Sequence, residues 1–336
     1  MKNQDKNSDT TILVTGGAGY VGSHCILALL KNGINVVVCD NLSTGHIETI
    51  NTLKKFGNVF FYEGDLLNFN FINSILKKTK IDAVMHFAAF SQVGESVKNP
   101  QKYYINNVSG ALNLFKAMIE NNVKNIVFSS SAAVYGKPVF TPITEDHPKE
   151  PINTYGMTKL FIEKILKDYD IAYGIKSAVL RYFNVVGADS DGIIGELHNP
   201  ETHLVPNILK SATGESKEFS LFGSDYNTKD GTCIRDYINV EDLADAHLRA
   251  LKFLLNGNDS ISLNIGSESG NSVKEVFASC EKILGKKIPI KMCPRRDGDP
   301  AVLVADNKKA KEILGWQPEH DLEYSIKKAM QWEMHK

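Results

Sequence analysis

The sequence predicts an α/β protein: a doubly wound parallel sheet that binds a dinucleotide, with a smaller mixed α/β substrate domain beside it. Three observations carry the prediction. The glycine turn Gly16-Gly17-Ala18-Gly19-Tyr20-Val21-Gly22 separates the apolar run Thr11–Thr15 from apolar residues at helical spacing, Val21, Cys25 and Leu29. In a strand–turn–helix of this kind one glycine allows the turn, one lets backbone approach a pyrophosphate, and one lets the helix pack on the sheet. Gly16, Gly19 and Gly22 hold those places, and the helix N-terminus beyond them is where phosphates would sit. Secondly, strand-like and helix-like segments alternate as far as residue 182, at about thirty residues per unit. Thirdly, the strand ends carry Gly16, Asp40, Asp65, Ala88 and Ser129 to Ser131. Ligands in such sheets lie beyond the carboxyl ends of the strands.

The bulk numbers set the frame. A length of 336 residues suggests about two domains. Apolar and charged contents of 43% and 23% are those of a folded, soluble chain. A formal net charge of -1 argues against nucleic acid or another polyanion as the main partner. The five cysteines are scattered and form no Cys-x-x-Cys pair, which fits a reduced intracellular protein without a cysteine zinc site. The first ten residues are polar, unlike the apolar core of a signal peptide, and no stretch is apolar for long enough to span a bilayer. These features read as a cytoplasmic protein.

Ile34 to Cys39 is a second β-branched run closed by Asp40, 18 residues beyond Gly22. A carboxylate there meets the adenosine ribose hydroxyls and repels a 2'-phosphate, so it favours NAD over NADP. Val59 to Tyr62 is a third strand. Asp65, after it, is open to two readings, an adenine contact or a cap of the next turn. Phe69 to Lys78 reads as a helix, and Ile81 to Ala89 as a strand buried on both faces, with His86 a hydrogen-bonded core residue. Pro100 to Asn121 reads as one long helix, with Asn106 near its start. Asn125 to Phe128 is the fifth strand and runs into Ser129-Ser130-Ser131-Ala132. Thr154 to Asp168 is the next helix and Lys176 to Tyr182 the next strand. Residues 185–238 turn to glycines, prolines and short apolar runs. Asn239 to Leu255 returns to helix, with Asn239 as cap, Asp242 at the capping-box position and His247 in the apolar stripe. Strand Ile261–Ile265, helix Asn271–Leu284 ended by Gly285, the charged loop Arg295 to Pro300, and helices Lys308–Leu314 and Leu322–Glu333 complete the chain. Residues 1–184 with 239–266 form the predicted nucleotide domain; 185–238 and 267–336 form most of the substrate domain.

Tyr155 and Lys159 lie four apart on a predicted helix and share a face. An ammonium beside a phenol stabilises the phenolate, as would an oxidised nicotinamide. The ordinary phenol pKa is about 10; lowered towards neutrality, it takes a hydroxyl proton. Ser131 at the preceding strand exit can bond the same substrate oxygen. A base at a hydroxyl and a nicotinamide at its carbon are what alcohol-to-ketone hydride chemistry needs.

Thr15 to His24, Asp40-Asn41-Leu42, Ser129 to Ala132 and Tyr155-Gly156-Met157-Thr158-Lys159 resemble the extended short-chain dehydrogenase/reductase family. Val93 to Ser96, Leu180 to Asn184, Asn199 to Pro206, Asp230 to Tyr237 and Pro294 to Asp299 match its branch that epimerises UDP-hexoses at C4', in the family's order from residue 11 to the C-terminus. The resemblance implies that Tyr155 is general base and acid, that Lys159 holds the nicotinamide ribose, and that Ser131 shares the sugar's 4'-hydroxyl. It implies an NAD site lined by Gly16, Gly19, Tyr20, Val21, Gly22, Asp40, Asn41, Asp65, Leu66, Phe87, Ala88, Asn106 and Phe183, with Tyr155 and Lys159. It puts UDP-glucose or UDP-galactose against Asn184, His203, Leu204, Ser220, Phe222, Arg235, Arg296, Asp299 and Leu303. A guanidinium binds phosphate bidentately, although Arg295 equals Arg296 by composition. A resident NAD, no metal and a homodimer are also implied.

Two positions depart from the family pattern. Ser91 stands where some members carry lysine, so no charge comes from there. Leu303 stands at the gate beside the sugar's 2' substituent, where a bulky aromatic restricts the pocket to plain hexoses and a small residue admits N-acetyl sugars. Leucine is intermediate, so UDP-N-acetyl hexoses join the candidate substrates. Dehydratases of the family carry Thr-Asp-Glu where this chain has Ser130-Ser131-Ala132, which lacks the acid to expel water. A protein that only senses NAD has no use for the phenolate base that Ser131, Tyr155 and Lys159 describe.

Overall fold

Seven parallel strands frame the computed structural model, which describes residues 10–296 and 299–335. Strands β1 (Thr11–Thr15), β2 (Asn35–Asp40), β3 (Val59–Glu63), β4 (Ala83–His86), β5 (Asn125–Ser129), β6 (Lys176–Tyr182) and β10 (Ile261–Ile265) lie in the order β10-β6-β5-β4-β1-β2-β3. Alternate residues feed two cores. Ile12, Val14, Val36 and Val38 face helices α1 (Tyr20–Lys31) and α9 (Val240–Leu255). Leu13, Val37, Val84 and Phe128 face α3 (Phe69–Lys78) and α6 (Gly110–Glu120). Burial on both faces explains the unbroken β-branched runs. The order reverses between β1 and β4, so loops leaving those strands diverge and leave a crevice at their carboxyl ends.

The second region builds on β9 (Ile234–Asn239), which pairs with β7 (Asn184–Val186), β11 (Gly270–Ser272) and β13 (Val302–Leu303). Beside it lie the parallel pair β8 (Phe219–Phe222) and β12 (Ile290–Cys293). Helices α8 (Leu204–Thr213), α10 (Val273–Leu284) and α12 (Leu322–His335) enclose a third apolar core around Ile208, Leu221, Val276 and Ile326. Ser272 and Glu275 form a capping box on α10, and Gly285 closes it in the left-handed conformation. Among the described residues, no helix is long and apolar enough to cross a membrane.

Several expected elements differ. The strand expected over 81–89 is only Ala83–His86, because Phe87 and Ala88 leave the ladder to donate backbone N–H bonds to Thr15 O. The single helix expected over 100–121 is α5 (Pro100–Tyr103), a π-helical turn Tyr104–Ser109, and α6. The π turn brings Asn107 against Phe90 and Thr158, to which its amide bonds; such bulges gather at functional sites. Helix α7 (Thr154–Tyr173) outruns its expected end at 168, held by Tyr169 against Phe115 and ended by Gly174. Asn239 caps α9 as expected, but Asp242 closes no capping box. Its carboxylate accepts from the backbone N–H of His320 and lies 2.7 Å from that residue's Nδ1. Asp297 and Gly298 of the charged loop lie outside the described residues.

Candidate active site

The glycine turn is tight because its surroundings leave no room for side chains. Gly16 has φ +75°, and a Cβ there would lie 2.5 Å from Ala88 N; one on Gly22 would lie 2.3 Å from Gly16 O. Gly19 is different. The nearest atom to a Cβ there is 3.5 Å away, and the residue faces the cleft, so a side chain would fill the cradle itself. No side chain caps α1 at Gly19, which leaves its first turn to a ligand anion. The residues therefore fit a dinucleotide pyrophosphate.

Asp40, at the end of β2, accepts from Ala18 N at 2.9 Å and Leu42 N at 2.8 Å. Its first task is to hold the turn. Burial raises its carboxyl pKa, and these two backbone bonds oppose the rise. Asp65 caps the next turn and also lines the cleft. One oxygen caps the next turn through Leu67 N, and the other holds Asn41 Nδ2 at 2.9 Å. Leu66, Phe87, Ala88 and Asn106 complete this wall.

Helix α7 docks on the exit of β5 at three successive serines. Ser131 Oγ accepts from Ala133 N at 3.1 Å, and its hydroxyl opposes the rise in the Tyr155 pKa. The carbonyl of Ser129 accepts from Lys159 Nζ at 2.7 Å. Ser130 Oγ donates to Glu163 at 2.5 Å. Tyr155, Lys159 and Glu163 are thus i, i+4 and i+8 on one helical stripe. Arg181 holds Glu163 from behind with two bonds of 2.9 and 2.7 Å. Spacing picked out the first two residues of the stripe; Glu163 carries the same signal and was missed, as was Tyr182, whose hydroxyl lies 2.5 Å from Ser129 Oγ.

Burial raises the Tyr155 pKa, and Ser131 opposes the rise. Lys159 is itself pushed down to about 7 by burial, against the pull of Glu163. A buried ammonium and a buried phenol are both held back from charge here.

Tyr20, Val21 and Phe183, with Tyr155 and Lys159, share a continuous cleft of about 1210 Å³ with the second region. Its far wall carries Asn184, Leu204, Ser220, Phe222 and Leu303. Arg235 enters from β9, 3.5 Å from Asp299. Arg296 lies over the Phe222 ring at 4.2 Å and lines the cleft. Arg295 points elsewhere, to Asp225 at 2.7 Å and over Tyr226. His203 also lines the cleft, but its Nδ1 is engaged with Glu196 and Glu201. Those glutamates and His198 were not singled out by sequence, although Glu196-x-His198-x-x-Glu201-x-His203 is a regular pattern of donors.

A glycine cradle, a tyrosine–lysine helix and a serine-rich strand exit around one cleft define an enzyme of the extended short-chain dehydrogenase/reductase class. Residues 13–329 match a family described as GDP-mannose 4,6 dehydratase. The UDP-glucose 4-epimerase of Lactobacillus helveticus is 53% identical over 325 residues, covering 97% of each chain. A crystal structure of UDP-glucose 4-epimerase from Bifidobacterium longum in complex with NAD+ and UDP superposes with a TM-score of 0.92 at 40% identity, covering 97% of this chain and 98% of that one. The UDP-Glc/GlcNAc 4-epimerase of Campylobacter jejuni gives 0.85 at 41% identity, covering 97% and 100%. This chain belongs to that dehydratase-type family and, within it, to the UDP-glucose 4-epimerases.

Proposed function

We propose that the protein interconverts UDP-glucose and UDP-galactose reversibly, as an NAD-dependent C4' epimerase. The observation that carries this reading is the convergence of Ser131, Tyr155 and Lys159 on one wall of a cleft whose other wall offers Arg235 and Arg296. NAD, when bound, accepts the C4' hydride and returns it, and its cationic ring favours the Tyr155 phenolate. Gly16, Gly19 and Gly22 would hold its pyrophosphate, Asp40 its adenosine ribose and Lys159 its nicotinamide ribose.

Tyr155 removes the 4'-hydroxyl proton while Ser131 holds the same oxygen. Arg235 and Arg296 keep the diphosphate fixed as the 4-keto hexose turns between them and the tyrosine. With the opposite face of C4' now presented for hydride return, Tyr155 gives its proton back to the 4' oxygen. No acid stands at Ser130-Ser131-Ala132 to drive off water, which separates this reading from dehydration. Protein purified without added NAD, incubated with UDP-galactose, should yield UDP-glucose on chromatography. Formation of a keto sugar alone, or of nothing even with NAD supplied, would overturn the reading.

We extend the proposal to UDP-N-acetyl hexoses because Leu303, not an aromatic, lines the cleft. Comparison of kcat/KM on the two substrate pairs decides this, and no turnover of the N-acetyl pair removes it. A homodimer is also proposed. Tyr104 and Phe161 stack at 6.0 Å and remain exposed, as do Ile105 and Leu112, and exposed apolar side chains on helices are what pairing would cover. Five free cysteines fit the proposed cytoplasmic setting.

A further inference from the structure

Four potential metal donors crowd the segment between β7 and α8. Glu196, His198, Glu201 and His203 each offer one ligand atom, and these atoms all lie within 4.8 Å of one another. Nδ1 of His198 is 2.9 Å from Glu196 Oε1 and 4.0 Å from Glu201 Oε2. Nδ1 of His203 is 2.6 Å from the same Glu196 oxygen and 3.1 Å from Glu201 Oε1. Tetrahedral zinc with N and O ligands at about 2.0–2.1 Å spaces its donors about 3.3 Å apart. The four histidine–glutamate separations, 2.6 to 4.0 Å, bracket that edge, so the donors stand close enough to surround one ion.

Charge points the same way. The two carboxylates are 7% and 4% exposed. Among the described residues no lysine or arginine is ion-paired with either; only the two imidazoles reach them. Buried carboxylates need a compensating charge. Among the groups that contact them, only the two imidazoles could carry such a charge. A divalent ion supplies the same two charges and leaves the imidazoles neutral, as ligands. The surroundings are already oriented. Thr202 N and His203 N both donate to Glu201 Oε1. Trp332 Nε1 donates to the Glu196 carbonyl, and His46 Nε2 lies 2.8 Å from the Leu197 carbonyl. Such outer contacts fix the direction of metal ligands.

We infer that Glu196, His198, Glu201 and His203 form a binding site for a divalent ion of the zinc class, which clips the 196–203 loop to the wall of the cleft. Two imidazole donors select zinc, cobalt or nickel over magnesium or calcium. The site is distinct from the tyrosine–lysine chemistry and requires no metal in the epimerisation.

The test uses the full chain with its bound nucleotide and no polyhistidine tag. Equilibrium dialysis against ZnCl2 should give one zinc per chain. Zinc-edge X-ray absorption should show N/O scatterers and no sulfur. His198→Ala should weaken binding at least about tenfold, and Glu196→Gln should do the same. The thermal midpoint of wild type should rise on adding zinc, whereas that of His198→Ala should not. Absence of binding at micromolar zinc, a sulfur shell from the cysteines, equal retention of magnesium, or unchanged affinity in a folded His198→Ala protein would each overturn the inference.

Discussion

Tyr155 and Lys159 are where single atoms decide the outcome. Tyr155→Phe removes the proton carrier and little volume, so it should retain nucleotide while kcat falls about 10²- to 10⁴-fold. Near-normal turnover would remove Tyr155 from the role of base. Lys159 makes a pH prediction. Its folded pKa, about 7, lies below the ordinary value of about 10.4. Between these values the unfolded chain binds the proton more tightly, so stability from this group rises with pH through that window. Below it, the full penalty of burying the ammonium remains. In nucleotide-stripped protein, Lys159→Met should therefore raise the thermal midpoint fully below about pH 7, with the gain shrinking towards pH 10. A gain that grows with pH would reverse the assignment.

Helix α1 and its glycine turn act as one element. Their close approach follows from residues that lack side chains, and Gly22 meets the Gly16 carbonyl, which cannot rotate aside as a flexible side chain could. Gly22→Ala should pry the helix from the turn and cut NAD retention after dialysis at least about tenfold, read from nicotinamide absorbance. Full retention would show that the turn absorbs the strain elsewhere. Helix α7 is organised differently. Ser129 and Ser130 bond Lys159 and Glu163 on one of its stripes, so the strand exit sets the rotation of the helix that carries Tyr155. Local sequence showed both elements but not their docking. Serine at a strand end and a tyrosine–lysine pair on a helix are each common, and their register exists only once the β5–α7 contact is made.

At the scale of the whole molecule the cleft joins two regions that share one chain but separate cores. Arg296→Ala should raise KM for UDP-galactose about 10- to 100-fold with a smaller effect on kcat, as expected for binding that is equal in ground and transition states. Arg295→Ala should change KM by less than about twofold, since its guanidinium is spent on Asp225 and Tyr226. Equal effects of the two substitutions on KM would contradict this division of labour.

The sequence alone determined the periodic and local features. Alternation of β-branched runs with helical spacing gave the parallel sheet. Glycines at a strand–helix junction gave the nucleotide turn, and a four-residue interval gave the shared face of Tyr155 and Lys159. These are short-range properties, written in neighbouring side chains and backbone sterics. Tertiary structure decided what depends on distant partners. It gave Asp65 a capping bond beside the cleft, diverted Asp242 to His320, and turned Arg296 rather than Arg295 to the cleft. It also gathered two glutamates and two histidines into one cluster. Burial, charge compensation and the aim of a long side chain are set by what packs around a residue, and spacing along the chain does not carry that information.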